Sequence, residues 1–240
     1  MPSKPRAPPL SQALHQASLD ALRYIKRQHN YRRLAATLGI STSTLSRYLS
    51  GKTIPRTQKI RAILEGIVDN IKYDELVAEF YGQDLDLENG VYICHDIDTI
   101  KLLASYLLRR FMGSKVDSVL AVEEHAIPLA TYFAALIHAE LYFTQDKHLW
   151  RDSLEIVYRS EGGHVKNNLW LPRGVARRGK SVLVITTALL NHSPYKEIFN
   201  VLQDKRAYVA GLFALVSKRN IWTTLSVPPG CTKIVVKMYE

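Results

Sequence analysis

Apolar positions recur at helical spacing through the first 70 residues and give way to short continuous runs after residue 93. In residues 10–28, Leu10, Leu14, Ala17, Ala21, Tyr24 and Ile25 share one helical face. His29-Asn30 interrupts the pattern, and Asn30 is placed to cap a short helix over 31–38 whose inner side is Leu34, Ala35 and Leu38. Gly39 then suits a turn with positive φ. Ser41 or Thr42 caps a third helix to about Leu49, with Leu45, Tyr48 and Leu49 facing inward. Gly51 ends it, Pro55 follows in a turn, and residues 57–68 resume a helix. Four helices in so short a span predict a small all-helical domain over 10–70.

Residues 71–92 hold Asp74, Glu75, Glu79, Asp84, Asp86 and Glu88 and read as an acidic connector with a hinge and surface role. From 93 to 240, helical stretches over 97–111, 126–138 and 193–205 alternate with strand-like runs. The runs fall in 116–124, 139–146, 154–160, 168–172, 180–186, 208–218 and 232–239. Buried strands alternating with helices predict an α/β domain with a mostly parallel sheet. The expected class is therefore α followed by α/β. In such sheets ligands collect beyond the carboxyl ends of strands, here Glu123–His125 and Thr186–Pro194.

Charge sharpens the division. The chain of 240 residues carries a net charge of +10. Residues 1–64 hold twelve Lys or Arg and a single acid, Asp20, a net of +11, so the remainder carries −1. Basic charge gathered in one small domain suits a polyanion such as nucleic acid. The tail 1–9, MPSKPRAPP, is the one stretch whose composition predicts disorder. Cys94 and Cys231 lie far apart in apolar, strand-like runs and read as buried small hydrophobes, neither a disulfide framework nor a zinc site. No secretory signal and no run of 18 apolar residues is present, so a soluble cytoplasmic protein without membrane contact is expected.

A helix pair that reads DNA buries one side and frees the other for the major groove. The spacing of Ala35, Gly39, Ile40, Leu45 and Leu49 meets that need. Thr42, Ser43, Thr44, Ser46 and Arg47 are left on or near the outer face. Thr42, Ser43, Ser46 and Arg47 are the candidate base contacts, with Arg47 foremost. Tyr31, Arg32, Arg33, Lys52 and Arg56 are candidates for backbone phosphates. The segment LAATLGISTSTLSRYLSGKTIP, within residues 10–68, resembles the lambda-repressor-like helix-turn-helix family. That resemblance implies a sequence-specific, usually dimeric DNA binder.

Residues 182–194, VLVITTALLNHSP, offer Thr186, Thr187, Asn191, His192 and Ser193 on an expected exposed loop, with neither acid nor glycine. Such groups can hold an anion but not magnesium. Glu123, Glu124 and His125 cap the neighbouring strand. These eight residues are the candidate ligand set. Residues 93–220, through LWLPRGVARRGKSVLVITTALLNHSPYKEIFNVL, resemble the type I phosphoribosyltransferase fold. The family expects two adjacent acids and then a Thr-Gly-Gly-Thr-like turn. Thr186-Thr187 match the acids, and Asn191–Pro194 match the turn. VLAVEEHAIPLA (119–130) matches the pyrophosphate loop without its usual glycines. Residues 145–168 match the mobile catalytic hood and contain Lys147, His148, Arg151, Arg159, Gly162-Gly163, His164 and Lys166. The hydrophobic frame is kept and the signature is lost.

The expectation is a dimeric transcription regulator on double-stranded DNA with a palindromic operator. Its second domain would lack catalytic residues, metal and cofactor, and would sense an anionic nucleotide or ribose phosphate. Two alternatives stand beside it. One is an active phosphoribosyltransferase drawing carboxylates from Glu123 and Glu124. The other is a second domain that only dimerises.

Overall fold

The computed structural model describes residues 10–28, 30–148, 151–159 and 166–240. The tail 1–9, His29, Gly162-Gly163 and His164 lie outside the described residues. The first helices are α1 (Leu10–Gln28), α2 (Tyr31–Thr37), α3 (Thr42–Leu49) and α4 (Thr57–Val68). Local chemistry sets their limits. The Asn30 side chain accepts from the Arg33 N–H at 2.9 Å and starts α2. Ser41 accepts from the Thr44 N–H at 3.1 Å and starts α3. Gly39 and Gly51 take φ of 59° and 72°, which L side chains rarely adopt. Leu34, Ala35 and Leu45 are buried, with Leu14, Ala17 and Ala21 of α1 and Ile60, Ile63, Leu64 and Ile67 of α4.

The expected hinge is instead packed. Residues 73–81 form α5 (Tyr73–Tyr81), followed by the short α6 (Leu87–Gly90) and a 3-10 turn, Val91–Cys94. Tyr73, Leu76, Val77 and Tyr81 are buried, and the acids Asp74, Glu75 and Glu79 occupy the outer face. The apolar period is present in the sequence but dense acid obscures it. Gly90 lies so close to the Tyr81 ring that a Cβ would overlap it.

Helix α7 (Ile97–Arg110) leads into β1 (Ser118–Ala121), α8 (Ile127–Ile137) and β2 (Glu140–Phe143). An antiparallel hairpin, β3 (Ser153–Arg159) and β4 (Lys166–Pro172), follows. Then come β5 (Ser181–Leu189), α9 (Ser193–Asp204), β6 (Tyr208–Lys218), α10 (Arg219–Thr224) and β7 (Thr232–Tyr239). The five-stranded sheet runs β2-β1-β5-β6-β7, and every pairing in it is parallel.

Alternation of side chains across the pleat divides the core. Val119, Ala121, Leu183, Ile185, Phe213 and Leu215 face α7 and α8, while Leu120, Val182, Val184, Leu212 and Ala214 face α9 and the hairpin. Gly211 follows an irregularity in the β5–β6 register, and the Phe111 ring fills the space a Cβ would need.

The helical head is joined to this sheet by a continuous core. One buried cluster runs from Leu14 and Leu45 through Leu103 and Leu107 to Phe213. Ser105 Oγ of α7 donates to the Ala17 carbonyl of α1 at 3.0 Å. Tyr132 OH of α8 donates to Asp20, and Arg27 pairs with Asp98. Arg109 pairs with Asp69 at 3.1 Å. Helix α1 thus belongs to both halves.

Candidate functional site

Two places could carry function: the outer face of α3, and the end of the sheet where strand order reverses between β1 and β5. On α3, Thr42, Ser43, Ser46 and Arg47 are exposed, as predicted. Thr44 is half-buried, and its hydroxyl and that of Ser43 lie 2.8 and 2.9 Å from Ser41 Oγ. Arg32, Arg33, Lys52 and Arg56 are exposed around the same helix pair. With Arg47, they make no ion pair among the described residues. Tyr31 is half-buried, with the Lys26 ammonium 5.3 Å from its ring centre. The arrangement is a rigid, capped helix presenting short hydroxyls and one long guanidinium, ringed by unneutralised cations. Groups of this kind can pair with base edges from the helix and with phosphates from its surround.

The sheet end departs from expectation. Strand β5 continues to Leu189, so Thr186 and Thr187 are buried strand residues at 0% and 4% exposure. They are not loop donors. Helix α9 starts at Ser193, leaving only Leu190, Asn191 and His192 to join the two elements. Pairing with β6 carries β5 on to Leu189, and a carboxylate 64 residues before Thr187 meets its end. Glu123, just past β1, turns its carboxylate onto the end of β5. Thr186 Oγ1 donates to Glu123 Oε2 at 2.6 Å. Thr187 gives Glu123 Oε1 both its N–H and, at 2.8 Å, its hydroxyl. The Ala188 N–H adds to the same carboxylate. Tyr195 OH sits 2.7 Å from Thr186 Oγ1, and the Tyr81 hydroxyl bonds to Thr187.

Burial pushes the Glu123 carboxyl above the usual range, against the pull of these hydrogen bonds. Burial and the Glu123 charge raise Tyr195 well above an ordinary tyrosine. Burial also pushes the Cys94 thiol up to about 12. Cys94 lies in the 3-10 turn after α6, not in a strand, and donates to the His125 carbonyl at 2.8 Å. Both cysteines are half-buried and free, against the expectation of full burial.

The remaining candidates do not converge on one point. Glu124 and His125 are exposed. Asn191 Oδ1 accepts from the Ser193 N–H at 2.9 Å, a local turn that occupies both. His192 Nδ1 is buried without a hydrogen-bond partner among the described residues. An open groove of about 710 Å³ lies beside Glu123 and Glu124, floored by Ile127, Phe143 and Leu169 and flanked by Asp146 and Lys147. Its acids oppose an anion. In the hood-like segment, His148 stacks on Trp170 at 4.2 Å, while Arg151, Arg159 and Lys166 are exposed. Among the described residues, no group of three or more His, Cys, Asp or Glu is placed to hold a metal ion. Nor is any helix among them long and apolar enough to cross a membrane. Sequence reasoning missed Tyr81 and Tyr195. Tyr195 falls on the apolar face of α9 with Ile198, Phe199 and Leu202, where nothing local marks its hydroxyl as paired.

Comparison with known proteins agrees with both halves of the architecture. Residues 22–67 match the family model described as helix-turn-helix. No curated protein matches the sequence. Adenine phosphoribosyltransferase from Rhodothermus marinus superposes with a TM-score of 0.54 at 15% identity, over 61% of this chain and 82% of that one. The enzyme from Leishmania donovani gives 0.56 at 12% identity, over 71% and 81%. The Trypanosoma brucei enzyme, solved with AMP, pyrophosphate and ribose-5-phosphate, gives 0.52 at 11% identity, over 64% and 68%. At such identities the likeness is one of fold. The chain is thus an all-helical region containing a helix-turn-helix, followed by a mostly parallel-sheet domain that resembles the phosphoribosyltransferase fold.

Proposed function

We propose that the protein is a sequence-specific, dimeric DNA-binding transcription regulator whose phosphoribosyltransferase-like domain performs no chemistry. The observation behind the first part is the outer face of α3. Hydroxyls and an exposed Arg47 stand there on a helix capped at Ser41 and anchored by buried Leu45. A dimer would set two such helices on two half-sites, so the operator would be palindromic. The continuous core between head and sheet supports a fixed spacing of those helices, because α1 packs into both halves.

Glu123 supports the second part. Its carboxylate engages Thr186, Thr187 and Ala188 at the sheet's switch point, the place where a ligand of such a sheet would be held. A phosphate arriving there would meet a carboxylate and donors already in use. A second reading, in which the domain senses a nucleotide or ribose phosphate, draws on His192 Nδ1 at the start of α9, buried and without a partner among the described residues.

Selection of duplexes from a random pool by the full-length protein tests the first part, and enriched inverted repeats are expected. Incubation with phosphoribosyl pyrophosphate, magnesium and free nucleobases tests the second, and no pyrophosphate release is expected. Release abolished by Glu123→Gln would make the protein an enzyme instead. A rise in melting temperature with ribose 5-phosphate, lost in His192→Ala, would establish the sensing reading.

A further inference from the structure

A parallel sheet gathers every strand entrance at one edge. Here that edge is basic, although the chain beyond residue 64 carries a net charge of −1. The turn before β5 contributes Arg177, Arg178 and Lys180, and the turn before β6 contributes Lys205 and Arg206. Backbone bonds pin the two turns together. The Gly179 N–H donates to the Arg206 carbonyl at 2.8 Å, and the Tyr208 N–H to the Lys180 carbonyl at 2.7 Å. Gly179 and Arg206 both have positive φ, 77° and 57°. Holding an arginine in that conformation is unfavourable by itself. The pinned turns keep its exposed side chain beside Arg177 and Arg178.

The acids at this edge are largely engaged. Asp117 takes Lys115 at 3.0 Å and the Ser181 N–H, and Glu140 takes Lys180 at 3.1 Å. Asp204, at the end of α9, is the exposed acid beside Lys205. Arg177, Arg178, Lys205 and Arg206 are exposed and make no ion pair among the described residues. Next to them Tyr208 is 68% exposed, on a cleft of about 350 Å³ shared with Lys115, Gln203, Pro228 and Pro229.

The edge is also continuous with the helical head. Arg61 of α4 reaches Met112 Sδ at 3.3 Å, and Lys115 follows Met112 by three residues. Arg56, the N-cap of α4, and Arg61 within it are exposed, and Lys115 lines the cleft beside Tyr208, next to the two pinned turns.

We propose that Arg177, Arg178, Lys205 and Arg206 form a second, sequence-blind contact that holds backbone phosphates of duplex DNA flanking the site read by α3. This rests on the DNA-binding reading above. Phosphate contacts of this kind add affinity and salt dependence without adding sequence preference.

The test uses the full-length protein and two duplexes carrying a selected site, one trimmed to the site and one extended by random flanks. The variant is Arg177→Ala, Arg178→Ala, Lys205→Ala and Arg206→Asn together, since asparagine tolerates positive φ. On the extended duplex, its slope of log K against log salt should fall by about 2 to 4, with about tenfold or greater weakening. On the trimmed duplex it should match the unaltered protein. Equal affinities and slopes on both duplexes would overturn the proposal. So would stronger binding of single strands than of duplex at this edge, abolished by Tyr208→Ala. If the fourfold variant does not fold, Lys205→Glu alone carries the same expectation with a smaller shift, and no shift overturns it. Arg47→Ala separates the two readings. If it leaves the preference for the selected site intact, the assignment of the α3 face fails, while the edge is still judged by its own slope.

Discussion

The start of α3 and the carboxyl end of β5 use the same kinds of side chain to opposite effect. Thr42-Ser43-Thr44 and Ser46-Arg47 stand on one; Thr186-Thr187 and Asn191-His192-Ser193 stand on the other. In α3, a single local residue, Ser41, satisfies the helix start, and Thr42, Ser46 and Arg47 remain exposed. At β5, Glu123 arrives from the neighbouring strand and engages the hydroxyls of Thr186 and Thr187 and their backbone. A recognition surface needs polar groups whose partners are still water. By that measure the helix is open to a ligand and the strand end is closed by its own chain. The types of residue present do not distinguish the two; their partners do.

The comparison breaks most sharply where the helix is anchored. Leu45 is fully buried, so Leu45→Ala should cost about 2–5 kcal/mol of stability and abolish DNA binding. Thermal unfolding with parallel binding curves checks this, and a stable variant with intact binding would mean that α3 is not held from beneath. Next, Arg47→Ala should narrow the gap between selected and random duplex by about 1–3 kcal/mol while leaving folding unchanged. Arg33→Ala should weaken both duplexes alike, as a phosphate contact would.

At the closed end the signature is stability alone. Glu123→Ala leaves the Thr187 N–H and hydroxyl without their acceptor, while Thr186 Oγ1 keeps Tyr195 OH, and should cost about 1–3 kcal/mol. DNA affinity measured well below the melting point should not change. The pH dependence follows from burial. The Glu123 carboxyl lies above its ordinary value of 4.5 in the folded protein, so between 4.5 and its folded pKa the folded state holds more proton than the unfolded chain. Stability from this group therefore falls as pH rises through that window and levels off above it. Subtracting the pH profile of Glu123→Gln isolates the term, and identical profiles would mean that the carboxyl titrates normally. The smallest effect is expected at Ser41→Ala, about 1 kcal/mol from the lost cap, read by denaturant unfolding.

Legibility in the sequence tracks the range of the interaction that decides each feature. The limits of α2 and α3 were readable because Asn30, Gly39, Ser41 and Gly51 act within a few residues. The parallel sheet was readable from its buried strands, and the exposed face of α3 from the positions left over by Leu45 and Leu49. The end of β5 was not, because both the pairing of Thr186–Leu189 with β6 and the carboxylate of Glu123 come from distant parts of the chain. The role of residues 73–81 was hidden for a different reason. Tyr73, Leu76, Val77 and Tyr81 keep helical spacing, but the acids between them carry the compositional signal of a linker. The joint core through Ser105, Ala17 and Asp20 depends on contacts 88 and 112 residues apart and leaves no local trace.

Everything proposed for the helical head turns on whether α3 distinguishes one DNA sequence from another. The most direct test is competition binding of the full-length protein to a labelled selected duplex, against unlabelled random duplex, at two salt concentrations. With sequence recognition by α3, a large excess of random duplex fails to displace the selected site at the higher salt, and Arg47→Ala removes this resistance. Displacement by random duplex at parity, weakening equally with salt for both proteins, would contradict it.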